Sequence, residues 1–538
     1  MRKLFWIVSL STIFISLVLV YFYSLNWLIL TAVLLFFTGM GILDMIQTKH
    51  TIMRVFPVVG RLRYWMEDIR PKIYQYFVES DTDGRPINRI DRSTIYSRAK
   101  QQIDTMPFGT QLDVYSEGYE WMCHSIAPKH FDVLDQDPRV IFGNKDCKQP
   151  YAASVLNVSA MSYGSLSANA IQALNAGAQM GNFAHNTGEG GLSDHHQKYG
   201  GDLIWQIGTG YFGCRTKEGL FDPKLFATKA QLPQVKMIEL KISQGAKPGH
   251  GGILPASKNS PEIARIRHVV PHTMVVSPPY HSAFNNPIEL VNFLSTLREL
   301  SGGKPIGFKL CIGHKSEFIA VCKAMVHLDI FPDFITVDGG EGGTGAAPQE
   351  FSNYVGAPLL DGLAFVHNIL RGFDIRKHIR LIASGKIMTG FHILRAIALG
   401  ADTCNSARAM MMAVGCIQAL QCHTNKCPTG VATQNPALTV GLVVEDKKFR
   451  VANYHRVTIQ NYVELLGAAG MESATSLTRG HIYRRINLNE MFTFEEIFPS
   501  TKVGSFLENV IPDRYVDDFY KADMDSWLQV PLPSTWAN

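Results

Sequence analysis

From Leu4 to Leu43 the chain has no charged residue, and the break between its two apolar runs, Tyr23-Ser24-Leu25-Asn26, has none either. That absence excludes an ordinary water-facing helix. Leu4–Phe22 and Trp27–Leu43 each approach the ~20 residues that carry a helix across a bilayer. Arg2 and Lys3 precede the pair, and Lys49, Arg54, Arg61 and Arg63 follow it. The positive-inside rule then predicts an inner-membrane hairpin with both ends, and the rest of the chain, on the cytoplasmic side. No small-residue cleavage site follows the first run, which weighs against a removed signal peptide. A net charge of only +5 over 538 residues excludes a nucleic-acid partner. Nine cysteines, an odd number scattered apart from one cluster, exclude a secreted disulfide framework and suit a reducing compartment. With 46% hydrophobic and 18% charged residues, disorder is excluded as well.

What is present is a succession of apolar, β-branched runs, each ending in glycine or polar residues and followed by a helical stretch. Val155–Ala160, Phe183–Asn186, Met237–Ile242, Thr273–Ser277, Ile306–Leu310, Phe334–Val337, Arg380–Ser384 and Thr403–Ser406 make eight such units. They predict an α/β fold, a (β/α)8 TIM barrel with the polar motifs gathered at the strands' C-terminal mouth. A doubly wound open sheet would not explain why a polar motif follows every strand. The expected order is a transmembrane hairpin over 1–45, a connector with N-terminal helices over 46–150, the barrel over 151–440 and a C-terminal extension over 441–538. Within the connector, Ile52–Phe77 is amphipathic and basic, equally suited to a membrane surface or to packing on the barrel. Ser93–Asp104 and Val451–Gly470 read as helices.

Arg380–Pro428 carries the densest chemistry. Gly385, Lys386 and Gly390 surround a helix start after Thr389, and Asn405-Ser406-Ala407-Arg408 opens the next helix. Paired loops offering backbone N–H groups and cations at helix starts match the phosphate site after strands 7 and 8 of a barrel. Candidate anion-binding residues are thus Gly385, Lys386, Ser406 and Arg408. Cys416, Cys422 and Cys427 follow, spaced C-x5-C-x4-C with proline next. An iron–sulfur cluster suits that spacing best; a Cys3His zinc site with His423, or three packed free thiols, are the alternatives. Asp338–Gly345 holds five glycines in eight residues, a loop open to a planar ligand through Gly339, Gly340 and Gly343 but not a Rossmann fingerprint. Lys309 places a cation near a buried strand's end, where packing alone rarely puts one.

Together GCIQALQCHTNKCPTGVATQ, SAMSYGS, NTGEGG, QGAKPG, SPPYH and DGGEGGTGAAP resemble the FMN-binding glutamate synthase family, in that family's order, over roughly Ser154 to Pro436. The resemblance implies an FMN at the barrel mouth and a 3Fe–4S cluster on Cys416, Cys422 and Cys427. The flavin would be backed by Ala160, Met161 and Ser162 and approached by Gln244 and Lys309. Glu189, Lys247 and Arg267 would line a 2-oxoglutarate pocket. Without the resemblance, Arg267 reads as a surface residue of the helical stretch Pro261–His268. One departure stands out. The family's KPGEGGQLP is KPGHGGILP here, with His250 and Ile253 in the variable places; a branched alkyl group cannot replace an amide donor to a carboxylate, so the substrate could depart from 2-oxoglutarate.

The implied activity is reduction of an imino acid by FMN loaded from the cluster, with ferredoxin or a similar carrier as electron donor. The alternatives are an electron-transfer flavoprotein subunit of a membrane complex and a zinc-stapled binding scaffold. No nucleophilic cysteine follows Met1, and no NADPH-binding domain is evident, so nitrogen is expected from free ammonia, another amine or a separate ammonia-supplying subunit, and a separate reductase subunit would be a partner for electrons. A homo-oligomer is compatible with all of this.

Overall fold

A computed structural model of the chain describes residues 1–528. It divides into two compact units, Met1–Arg89 and the chain from Ile90 onward. In the first, the helices Arg2–Phe22 and Leu28–Ile46 are joined by a single turn, capped where Ser24 Oγ accepts from the Asn26 N–H at 3.3 Å. The hairpin is stitched inside by Thr31 Oγ1 donating to Ser16 Oγ at 3.0 Å, the kind of hydroxyl contact that lets apolar helices approach. Both helices are long and apolar enough to cross a membrane. In the last turn of the second, Asp44, 1% exposed, pairs with Arg61 at 2.6 Å and accepts from the Val58 N–H at 2.9 Å.

The second unit is built on a closed barrel of eight parallel strands. They are β1 (Leu156–Val158), β2 (His185–Asn186), β3 (Leu203–Ile207), β4 (Val235–Lys241), β5 (Ile306–Leu310), β6 (Phe334–Asp338), β7 (Arg380–Ser384) and β8 (Thr403–Ser406). Neighbours in sequence pair in order around the ring, and β8 closes on β1 through Cys404–Leu156 to Ser406–Val158. Seven of the eight expected runs are barrel strands; Thr273–Ser277 is not. Its Val275–Val276 pairs antiparallel with Ile253–Leu254 in a two-stranded ribbon outside the barrel, leaving Met274 and Val276 66% and 52% exposed. The missing strand is Leu-Ile-Trp-Gln-Ile at β3, fully buried on both faces. A short β-branched run names a strand without naming its partner, and only the partner decides ribbon or barrel.

Elements on both flanks close over the ring. The helix Val444–Ala468 lies against Ala168–Met180, so near that a Cβ at Gly177 would meet the Val451 side chain. Glu120–Met122 pairs with Ile482–Arg485, which pairs with Met491–Thr493, tying the segment before the barrel to the one after it. The last described helix, Asp513–Lys521, is held by Lys323 Nζ donating to the Phe519 and Ala522 carbonyls at 2.7 and 2.9 Å. The C-terminal extension, as far as it is described, therefore covers the barrel; residues 529–538 lie outside the described residues. At the barrel's other end, buried Asp333 accepts from Arg298, the Ile306 N–H and the Asn144 N–H at 2.7–2.9 Å. Removing one partner of such a pair costs about 3–5 kcal/mol.

Candidate active site at the barrel mouth

Lys241 is the last residue of β4, so its side chain emerges where the strands end. Its ammonium donates to Glu189 Oε1 at 2.8 Å and to Gln244 Oε1 at 3.0 Å. Glu189 comes from the loop after β2, and Gln244 Nε2 donates onward to the Gly343 carbonyl in the loop after β6 at 3.2 Å. Three loops thus meet on one cation. Burial alone would raise the Glu189 carboxyl, but Lys241, Lys247 and Arg267 outweigh it and hold the group below its ordinary value. Glu189, Lys241, Gln244, Thr209, Ser243 and the Gly249–Gly252 turn line an open pocket.

Lys247 reaches the Ala346 carbonyl at 3.0 Å, and burial pushes its ammonium down to about 8 against the pull of Glu189. Arg267 is no surface residue. The helix Pro261–Arg267 starts at Ser260, whose hydroxyl caps Ile263, and turns its last side chain inward. Its guanidinium donates to the Tyr163 carbonyl at 3.1 Å and stands 5.1 Å over the Phe212 ring, while its Nε is buried without a partner. Burial lowers it to about 10, so it stays charged at neutral pH. Glu189, Lys247 and Arg267 therefore share one electrostatic neighbourhood with Lys241. That fourth residue escaped the sequence reading, although its position as a charged end of a buried run marks it just as Lys309's does.

The flavin-side candidates surround the same mouth. Met161 and Ser162, buried after β1, touch the loop after β2 so closely that a Cβ at Gly188 would lie 2.7 Å from the Ser162 nitrogen; Gly188 also has φ +65. Ala160, half-buried, precedes them in the same loop. Lys309 on β5 is in register with Lys241, 5% exposed, and among the described residues its ammonium has no hydrogen bond or ion pair. Gly339 N–H donates to the Ser384 carbonyl at 2.8 Å, and Gly340 N–H to that of Ala357 at 2.8 Å, laying the glycine loop across β7. A Cβ at Gly343 would collide with the Arg408 guanidinium. Arg408 donates to the Gly342 carbonyl at 3.1 Å, and its buried Nη1 has no partner. Ser406 Oγ donates to the Ile387 carbonyl at 2.6 Å; Gly385 and Lys386 turn with φ +156 and +48 just before the helix Gly390–Ala398, whose start Thr389 caps. The unpartnered Lys309 ammonium and the free, buried Nη1 of Arg408, beside side-chain-free loops, fit a phosphorylated planar ring.

Cys416, Cys422 and Cys427 are free thiols on one irregular segment after the helix Arg408–Ala413. Burial raises Cys416 to about 12, with the other two thiols adding to the effect. Burial raises Cys427 too, but hydrogen bonds from backbone N–H groups of Ala432, Thr429 and Val431 and the Thr429 hydroxyl reverse that. Lys258, lowered to about 8 by burial, faces Cys422 and Cys427; Arg408 faces Cys416 and Cys422. Among the described residues no three His, Cys, Asp or Glu side chains are poised around a single metal ion. In the variable loop His250 lines the pocket and its Nδ1 donates to the Gly251 carbonyl at 2.9 Å, but Ile253 lies past the pocket in the ribbon, opposite Val276.

Comparison with known proteins identifies the family. Residues 96–472 match the family described as the conserved region in glutamate synthase. The glutamate synthase large subunit-like protein YerD of Bacillus subtilis is 37% identical over 488 residues, 84% of this chain and 92% of that protein. An archaeal NADPH glutamate synthase from Methanocaldococcus jannaschii is 37% identical over 337 residues, with 62% of each chain covered. Among solved structures, a mandelate oxidase variant with a monooxide FMN adduct aligns over 80% of this chain and 99% of its own at 13% identity and a TM-score of 0.41. On the family match and the YerD relationship, the chain belongs to the FMN-binding glutamate synthase family of oxidoreductases.

Proposed function

We propose that the barrel is an FMN-dependent oxidoreductase of glutamate synthase type that reduces an imino acid formed from 2-oxoglutarate or a close relative. The observation that carries it is the Glu189–Lys241 pair, flanked by Lys247 and Arg267, at one mouth with the unpartnered Lys309. Three cations can hold the carboxylates of an oxo dicarboxylic acid through charge-assisted hydrogen bonds. Glu189, kept ionised, can accept a hydrogen bond from the imine nitrogen and so favour its protonated, more electrophilic form. Thr209, Ser243 and the Gly249–Gly252 turn line the pocket beside Glu189 and Lys241. Ala160, Met161, Ser162, Gln244, Lys309 and the glycine loop would hold the ring of FMN, and Gly385, Lys386, Ser406 and Arg408 its phosphate. FMN, when bound there, supplies the hydride.

Cys416, Cys422 and Cys427 would hold a 3Fe–4S cluster, which supplies single electrons. The backbone N–H groups directed at Cys427 and the cations Lys258 and Arg408 support an anionic thiolate-bound core. The C-x5-C-x4-C spacing with proline next suits such a cluster better than a closed Cys3His zinc site. A soluble carrier such as ferredoxin would feed it, and the two apolar helices would anchor the protein in the inner membrane with the barrel in the cytoplasm. Purified without air, the full-length protein should carry FMN and iron. Its reduced flavin should be reoxidised by 2-oxoglutarate with ammonia. Reoxidation by quinones alone, with no response to any oxo acid and amine, would defeat the proposal and assign an electron-transfer role instead.

A further inference from the structure

The barrel's interior contains a carboxylate that the proposed reaction does not use. Glu239 on β4 is 1% exposed, and among the described residues no cation pairs with it. Its Oε1 accepts from Asn186 Nδ2 at 2.9 Å and from Gln206 Nε2 at 2.6 Å; its Oε2 accepts from Thr336 Oγ1 at 2.6 Å. An isolated buried carboxylate is expensive unless hydrogen-bonded, and here three donors from three other strands serve it. Such a group is kept for what it organises.

What it organises lies one layer up. Because Asn186 must give its amide nitrogen to Glu239, its Oδ1 is turned outward, where it accepts from the Gly188 N–H at 3.0 Å. Gln206, held to Glu239 through its side chain, also donates its backbone N–H to Thr187 Oγ1 at 3.1 Å, and Thr187 Oγ1 donates to the Gly188 carbonyl at 3.0 Å. Gly188 is thus gripped at both ends immediately before Glu189. On the other arm, Glu239 is two residues before Lys241 on the same strand, so both ends of the Glu189–Lys241 pair are referred to one point.

We propose that Glu239 is a positioning residue, a buried acceptor-only hub that orients Asn186 and Gln206 and thereby holds Glu189 in register with Lys241. A carboxylate is required because it offers no donor: an amide there would present N–H to Asn186, Gln206 or Thr336 and release one of them. The inference concerns the same site as the proposed function, but its test needs neither substrate nor turnover. The ionisation of Glu189 can be followed in the full-length protein by difference infrared spectroscopy, its carboxyl band identified by loss in Glu189→Gln. In the natural protein it should titrate below the ordinary glutamate range. In Glu239→Gln, with Lys241 no longer held at 2.8 Å, burial should win and proton affinity should rise about tenfold or more, one pKa unit being one decade. If Glu239→Gln does not fold, Asn186→Ala removes only the first arm and should give the same shift at smaller size. An unchanged Glu189 titration in whichever variant folds, with a lowered Tm alone, would make Glu239 a packing group and overturn the proposal. A shifted titration in a protein that ignores every oxo acid would instead uphold Glu239 and defeat the proposed reaction.

Discussion

The mouth of the barrel has two arcs that were built differently. From β7 through Cys427, each group is supplied by a local segment: a glycine turn, a capped helix, three thiols within one irregular stretch. From β2 to the Val275–Val276 ribbon, the groups come from afar: Glu189 meets Lys241 across 52 positions and Arg267 meets Tyr163 across 104. Local spacing specifies the first arc almost by itself. The second depends on which strand neighbours which, so its chemistry is only as exact as the closed ring beneath it. The two arcs therefore ought to fail separately.

The sharpest separation comes from the cysteines. Cys422→Ser should abolish iron binding and lower donor-dependent turnover by roughly 100-fold or more, because no other thiol on that segment can replace it. The same variant should retain FMN, and flavin reduced chemically should still be reoxidised by the oxo acid and ammonia within about threefold of the natural rate. Iron analysis and single-turnover absorbance at the flavin band measure the two halves. Loss of flavin and iron together would show the arcs to be one folding unit and break the comparison.

A middle-sized effect belongs to Lys247. Its ordinary value is 10.5 and burial brings it to about 8 in the folded chain. Between those limits the unfolded chain binds the extra proton, so this residue's contribution to stability rises as pH climbs from about 8 to 10.5. Its grip on a carboxylate needs the ammonium and should fall over the same window, approaching tenfold per pH unit above 8. Affinity and stability should thus move in opposite directions, as oxo-acid titrations and urea midpoints across the window would report. Lys247→Arg, which stays charged, should flatten the affinity curve; a limb that persists in that variant would assign the titration to another group.

The same contrast governs how much could be read from the sequence. Arg380–Ser384, the helix after Thr389 and the Arg408 turn are placed by periodicity and caps, and they are where the reading located them. Thr273–Ser277 has the composition of a strand but pairs with Ile253–Leu254, and Leu203–Ile207, with a glutamine inside it, is the true third strand. Gln206 looks out of place in a core until Glu239 is seen facing it, and Glu239 needs Asn186 and Thr336, which only barrel closure brings near. The sequence marks Lys241, like Lys309, as a charged end of a buried run, but not its partner or those of Glu239: those lie on other strands or the loops after them, and sequence spacing does not give them.

The smallest effect should come from the residue that looked most consequential in the sequence. In the family's loop a glutamine stands where this chain has Ile253, and an amide exchanged for an alkyl group at a carboxylate would cost orders of magnitude in specificity. Here, though, Ile253 is a ribbon residue opposite Val276, while the pocket's own wall is the Gly249–Gly252 turn with His250. A Cβ at Gly252 would crowd the Glu189 carboxylate and one at Gly251 the Ser277 carbonyl, so it is the turn that sets the approach to Glu189. Ile253→Gln should therefore change KM for 2-oxoglutarate by less than about threefold, a change of under ~1 kcal/mol. Steady-state kinetics on the variant decide it. If Ile253→Gln instead sharpened selectivity for 2-oxoglutarate by tenfold or more, the ribbon would have to move onto the substrate during turnover, and the second arc would be mobile where the first is fixed.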